Sequence, residues 1–137
     1  FQQIADQIMA EITDEGLKIE IADSKEDVFF EVGTANLKPS AYKMIEIIGK
    51  EISKLNNKVL IEGHTDSRSY SATGVGYSNF ELSSDRANAA RRALISGGMI
   101  PGQIEQVRGW ADNRLKDPKN PYSEVNRRIS IIVKYSS

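Results

Sequence analysis

One acid and one arginine stand at positions where together they could bind a charged ligand. Asp66 follows a short apolar run, and Arg86 lies in the next segment with helical character. An acid binds an ammonium group, and a guanidinium grips a carboxylate through two parallel hydrogen bonds. The two side chains therefore suit a zwitterion, held in a crevice beyond the end of a strand. The alternative, an ion pair between Asp66 and Arg86 themselves, stays open from the residues alone.

The single histidine, His64, offers little metal or catalytic chemistry. The chain has no Cys, which excludes disulfides, thiolate zinc sites and thiol nucleophiles. A metal site built on His64 and Asp66 would need further ligands. A Ser-His-Asp triad is formally possible, but the Gly-x-Ser-x-Gly nucleophile motif is absent. We predict that His64 is a structural residue at the end of a strand, and we expect no metal and no cofactor.

The charge balance argues against an electrostatic nucleic-acid binder. The 137 residues include 18 Lys and Arg against 19 Asp and Glu, for a net charge of −1, whereas nucleic-acid binders usually show a basic excess. Two arginine doublets, Arg91-Arg92 and Arg127-Arg128, are predicted to lie on solvated helix and strand faces. The length suits one domain with its own core. Apolar runs such as residues 129–133 are far too short to span a membrane.

Alternating helices and strands must position these residues. An apolar stripe from Ala41 to Leu55 predicts a helix that starts near Pro39. Ser78 and Glu81 match a capping box at the start of a second helix, which Gly97 ends. Alternating or apolar runs predict strands over residues 17–21, 28–32, 59–62, 104–108 and 129–135, and the first two could form a hairpin. This order predicts an α+β fold, a mixed sheet with helices packed on one face.

The N-terminal segment is predicted to be helical, because Ile4, Ile8 and Ile12 recur every four residues. We predict an N-terminal linker helix over residues 1–16 and the main domain over residues 17–137. An isolated helix of about 14 residues is marginal in water and needs a partner surface. It could simply pack on the domain, or it could be a regulated linker that docks in one state and extends in another.

Three motifs in the same order resemble the OmpA-like peptidoglycan-binding domain. They are Gly63-His64-Thr65-Asp66, Asn79-x-x-Leu82-Ser83-x-x-Arg86-Ala87 and Asn126-Arg127-Arg128-Ile129. The resemblance covers roughly residues 28–135 and implies an α/β sandwich with a βαβαβ core. A closer resemblance, over residues 77–92, 108–112 and 120–131, is to the periplasmic domains of flagellar motor stator proteins.

The resemblance implies a non-catalytic module that grips the diaminopimelate of the peptidoglycan stem peptide. In such domains the aspartate of the first motif and the arginine of the second hold its ammonium and carboxylate groups. Carried over, these residues are Asp66 and Arg86. The groove around them would be lined by Thr65, Asn79, Leu82 and Arg127.

The stator resemblance also implies partners and a location. We expect a homodimer that anchors a torque-generating unit to the cell wall, as the periplasmic domain of a protein held in the bacterial inner membrane. An ion-channel partner subunit would be contacted through a membrane segment outside this chain, which begins with Phe1 and is expected to be a fragment or a processed form. The alternative is a wall-binding module of an outer-membrane lipoprotein or of a secretion-system component.

Overall fold

Five strands form one mixed sheet in the computed structural model, which describes residues 8–69 and 76–136. The strands are β1 (Ile8–Ile12), β2 (Gly16–Ala22), β3 (Val59–His64), β4 (Ile104–Gly109) and β5 (Arg128–Lys134). Their spatial order is β1-β2-β5-β3-β4. Only β3 and β4 are parallel, and the other neighbouring pairs are antiparallel. The predicted mixed sheet is confirmed.

Two helices, α1 (Pro39–Ile52) and α2 (Asn79–Ser96), pack on one face of this sheet. Proline is favoured in the first turn of α1 because its missing N–H would have no helical partner there. Ser78 caps α2 by accepting the N–H of Phe80, and Glu81 accepts the N–H of Ser78 at 2.7 Å. The predicted capping box is therefore confirmed. Neither helix among the described residues has the length and apolar character of a membrane span.

The hydrophobic core lies between the helices and the sheet. Alternate residues of the strands face the helices, as the two-residue period of a strand requires. On β3 these are Val59 and Ile61, both fully buried, and Gly63. A Cβ atom at Gly63 would overlap the carbonyl oxygen of Ser83 in α2. The helix that carries Arg86 thus lies directly against the end of β3.

The prediction of a helix over the N-terminal segment is wrong for residues 8–12. These residues form strand β1, which pairs with β2 so that Ile8 lies opposite Ile21 and Ile12 lies opposite Leu17. A spacing of four residues is even, so it places Ile8 and Ile12 on one face of a strand as well as on one face of a helix. Pairing with the edge of β2 decides between the two. Residues 1–7, which include Ile4, lie outside the described residues.

The predicted strand over residues 28–32 and its hairpin with β2 are also wrong. This segment forms a loop with a single bridge between Phe30 and Leu37, and β2 pairs with β1 and β5 instead. Phe29 and Phe30 are both buried, at 5% and 6% exposure. Adjacent residues of a strand point to opposite faces, so burying both against one core requires a loop.

Candidate ligand-binding cleft

Three strand ends meet at one end of the sheet and bring the charged residues together. Strands β2 and β3 both run antiparallel to β5 and therefore point in the same direction. In this register Arg128, the first residue of β5, lies between Ala22 at the end of β2 and His64 at the end of β3. The residues just beyond these ends, among them Asp66, converge in the same way.

Arg127 joins two carboxylates at this end of the sheet. Its Nε donates to Asp23 at 2.8 Å and its Nη1 donates to Asp66, also at 2.8 Å. Asp66 is fully buried and Asp23 is 7% exposed. Burial raises the pKa of Asp23, although the contacts with Arg127 and with the N–H of Phe29 oppose that rise. Buried charges of this kind are tolerated only when they are paired and hydrogen-bonded.

Arg86 reaches the same place from α2. Its Nε donates to the carbonyl oxygen of Thr34 at 2.7 Å, and its guanidinium lies 4.7 Å from the centre of the Phe30 ring. Arg86 is only 4% exposed. The contact with Thr34 therefore ties the loop that follows Phe30 to helix α2 and closes one side of the site.

A turn after Asp66 closes the other side. The Oδ1 atom of Asp66 accepts the N–H of Arg68 at 2.9 Å. This is an Asx turn, in which an Asp or Asn side chain accepts the backbone N–H two residues further along. The side-chain amide of Asn79 donates to the carbonyl oxygens of Arg68 at 2.9 Å and of Asp66 at 3.4 Å. Asn79 therefore fixes the turn to the start of α2.

A cleft of about 80 Å³ lies between the two sides. It is lined by the apolar and glycine residues Val28, Phe30, Val32 and Gly33, and by the charged residues Asp23, Arg68, Arg86 and Arg127. The sequence prediction included Arg86 and Arg127 but missed Asp23, Arg68 and Phe30. Asp23 could have been found from its position, because it follows β2 directly, much as Asp66 follows β3.

The other predicted site residues lie close to the cleft but deeper. Thr65 is 1% exposed, and its N–H bonds the carbonyl oxygen of Ala111 at 2.9 Å. Leu82 is fully buried in α2. Arg86 and Arg127 thus line one cleft, and Asp66 is buried in contact with Arg127. Asn79 holds the turn beside the cleft, and Thr65 and Leu82 are among the buried residues that support it.

His64 is a buried residue at the end of β3, as predicted. It is 4% exposed, and its Nε2 lies 3.8 Å from a carboxylate oxygen of Glu62. Burial lowers the pKa of His64, and the attraction of Glu62 offsets only part of this effect. Burial would raise the pKa of Glu62, but contacts with His64, Arg108 and Trp110 outweigh it and lower that pKa to about 2. His64 is therefore neutral and Glu62 ionised at neutral pH.

The prediction that Arg127-Arg128 lies on a solvated face is wrong. Arg127 bridges Asp23 and Asp66, and Arg128 donates to Glu20 at 2.9 Å. Arg128 is the first residue of β5, a central strand of the sheet, and Arg127 directly precedes it, so acids within or just beyond the neighbouring strands are within reach. The two arginines, which the sequence alone suggests are a basic surface patch, instead form ion pairs within the domain.

The comparisons with known proteins agree with this architecture. The OmpA family matches residues 29–128. Motility protein B of Escherichia coli (strain K12) is 38% identical over 123 residues, which are 90% of this chain and 40% of that protein. The peptidoglycan-associated lipoprotein of Pseudomonas aeruginosa is 31% identical over 105 residues, 66% of this chain and 60% of the lipoprotein. The chain thus spans less than half the length of the first relative.

Solved structures share the fold at low sequence identity. The periplasmic domain of Helicobacter pylori MotB superposes with a TM-score of 0.79 at 22% identity, over 94% of this chain and 89% of that one. The cell wall anchor of the type VI secretion system of P. aeruginosa gives a TM-score of 0.73 at 21% identity, over 96% and 90% of the two chains. With a mixed sheet, two helices on one face and a family match over residues 29–128, the chain belongs to the OmpA family.

Proposed function

We propose that this domain binds peptidoglycan without catalysing a reaction, and that it anchors a flagellar motor stator unit to the cell wall. The observation that carries the proposal is the cleft beyond β3, where two carboxylates and two arginines are held within one cluster. Such a cluster matches a zwitterion, which presents an ammonium and a carboxylate at once. Diaminopimelate of the stem peptide carries both groups on one carbon.

In this proposal Arg86 binds the carboxylate of diaminopimelate and Asp66 provides the negative charge for its ammonium. Arg86 lines the cleft directly. Asp66 is fully buried, in contact with Arg127 and with the turn at Arg68. Asp23, which lines the cleft, adds a second negative charge at the same end. Thr65, Asn79, Leu82 and Arg127 shape the groove around these groups.

Co-sedimentation with purified sacculi tests the site. We expect Asp66→Asn and Arg86→Ala each to abolish binding, because losing one side of a buried charged contact typically costs about 2–5 kcal/mol. Asp66→Asn removes the charge but keeps the size of the side chain, and its Oδ1 atom can still accept the N–H of Arg68. Arg92→Ala, on the exposed side of α2, is the matched control and should bind like the parent.

The circular dichroism spectrum and thermal midpoint of each variant must first establish that it folds. A folded Asp66→Asn or Arg86→Ala protein that sediments with sacculi as the parent does would refute this site. Release of soluble fragments from sacculi by the parent would refute the non-catalytic role.

The anchoring role includes proposed partners and a location. We propose a homodimer in the periplasm, joined to an inner-membrane segment that contacts an ion-channel subunit of the stator. The resemblance to Motility protein B, at 38% identity over 90% of this chain, supports it. The linker role of the N-terminal segment also stays a prediction, now for a segment whose residues 8–12 belong to the sheet.

A second candidate is a wall-binding module of an outer-membrane lipoprotein or a secretion-system component. The 31% identity to a peptidoglycan-associated lipoprotein and the fold shared with a type VI cell wall anchor favour it. The gene sequence upstream of the codon for Phe1 separates the two candidates. A single membrane span with an acidic residue would support the stator, and a lipidation cysteine would support the lipoprotein.

A further inference from the structure

Arg68 is an exposed arginine that lines the cleft and is held there by its backbone. Its N–H bonds Asp66 at 2.9 Å and its carbonyl oxygen accepts from Asn79 at 2.9 Å. These two bonds fix where the side chain leaves the main chain. Within residues 8–69 and 76–136, the guanidinium itself has no ion-pair or hydrogen-bond partner.

The charges around the cleft do not balance. Asp23 and Asp66 together offset Arg86 and Arg127, so these four side chains sum to zero. Arg68 adds one positive charge to that neutral cluster. Residues 70–75, the segment that follows the turn, are Tyr-Ser-Ala-Thr-Gly-Val and contain no acid that could compensate it. The neutral cluster fits a zwitterion, and the extra cation calls for one more negative charge on the ligand.

We propose that Arg68 forms a second carboxylate subsite, which makes the cleft selective for ligands with a free carboxylate beside the zwitterion. Guanidinium groups bind carboxylates in a planar, two-point geometry that an amide cannot reproduce. In the stem peptide the neighbour of diaminopimelate is a glutamate linked through its γ-carboxyl group, so its α-carboxylate is free unless it has been amidated. This inference rests on the proposed function and names the chemical form of peptidoglycan that the cleft selects.

Two synthetic dipeptides test the subsite. Both are N-acetyl-γ-D-glutamyl-meso-diaminopimelate, in which the glutamate amine is acylated as it is in the stem peptide, one with the free α-carboxylate of glutamate and one with that group converted to a carboxamide. Dissociation constants are measured by NMR titration for the parent, Arg68→Gln, Arg68→Lys and the control Arg92→Gln, which removes one exposed positive charge away from the cleft.

The parent should bind the free acid about threefold to tenfold more tightly than the amide, between the effect of an exposed ion pair and that of a charged hydrogen bond. Arg68→Gln should bind both peptides equally, at the level of the amide. Arg68→Lys should retain part of the preference, and Arg92→Gln should behave as the parent.

Equal binding of both peptides by the parent, or an unchanged preference in Arg68→Gln, would overturn the subsite and leave wall binding intact. A preference lost equally in Arg92→Gln would also overturn it, because net charge alone would then explain the effect. A folded parent that binds neither peptide would refute the proposed function itself, and the subsite with it.

Discussion

Arg127 is the residue on which the charged cluster depends. It contacts both Asp23 and Asp66, and both acids are nearly or fully buried. The sequence separation between Arg127 and Asp66 is 61 residues, so the pair also links the start of β5 to the end of β3. Its removal would leave two buried carboxylates near each other with less compensation.

We expect Arg127→Met to destabilise the domain by about 3 kcal/mol at pH 7, since removing one partner of a buried ion pair leaves an uncompensated charge. Urea unfolding followed by circular dichroism measures this free energy. Arg92→Met is the control and should change stability by less than about 0.5 kcal/mol, as exposed substitutions usually do. Similar unfolding curves for the two variants would contradict the central role of Arg127.

Glu62 makes the stability of the fold dependent on pH. Its folded-state pKa of about 2 lies below its ordinary value of 4.5. The unfolded chain therefore binds more protons between these values, and the stabilising contribution, fully present above pH 5, is lost as the pH falls toward 2. A difference of this size corresponds to about 3 kcal/mol.

We expect Glu62→Gln to flatten the loss of stability between pH 5 and pH 2, measured by urea unfolding at several pH values. Glu51→Gln, which removes an exposed acid paired with Lys54, is the control and should keep the slope of the parent. An unchanged slope in Glu62→Gln would show that the contacts with Arg108 and Trp110 do not hold the Glu62 carboxylate ionised in the fold.

At the scale of elements, close contact between β3 and α2 positions the site. Gly63 leaves room for the backbone of Ser83, and Ser83 in turn accepts the N–H of Ala111 at 3.0 Å. The strand end that leads to Asp66 and the helix that carries Arg86 therefore share one interface. Any side chain at Gly63 must push them apart.

We expect Gly63→Ala to destabilise the domain by about 1–3 kcal/mol, the usual cost of adding atoms to a packed interior. Gly102→Ala is the control, because a Cβ atom there meets nothing within 4 Å. Thermal and urea unfolding compare the two. If Gly63→Ala were as stable as Gly102→Ala, the contact between β3 and α2 would be loose and could not fix the cleft.

At the scale of the whole molecule, the open cleft predicts weak binding by a single domain. A small ligand in a solvent-accessible groove buries little surface, so we expect dissociation constants between about 1 µM and 1 mM for a monomeric muropeptide. Firm anchoring would come from linked copies that meet a repeating polymer, because tethering raises the effective concentration of the second site.

Calorimetry with a monomeric muropeptide measures the dissociation constant of the single domain. Co-sedimentation of a dimeric fusion with sacculi, compared with that of the single domain, measures the gain from linking two copies. A dimer with Arg86→Ala in one copy is the control and should bind like the monomer. A nanomolar constant for the single domain, or no gain from dimerisation, would contradict this account.

Elements whose signals are local could be predicted from the sequence alone. The apolar stripe of α1, the capping box of α2 and the apolar runs of β3, β4 and β5 depend on residues a few positions apart, and all are present. The mixed sheet could be predicted as well, because an order in which single strands alternate with helices allows few sheet topologies. Asp66 and Arg86 were proposed as site residues from their positions after a strand and within a helix, and the structure has both positions.

Features that depend on distant partners could not be predicted in this way, because they arise only when the chain has folded. The spacing of Ile8 and Ile12 fits a helix and a strand equally well, and pairing with the edge of β2 makes the segment a strand. Phe29 and Phe30 lie in a loop and not in a strand, because both rings are buried in the core. Arg127 pairs with Asp23 across 104 residues, a contact that no local spacing encodes. Pairings over such distances follow from the order of the strands, and this order places an apparent surface arginine at the centre of the charged cluster.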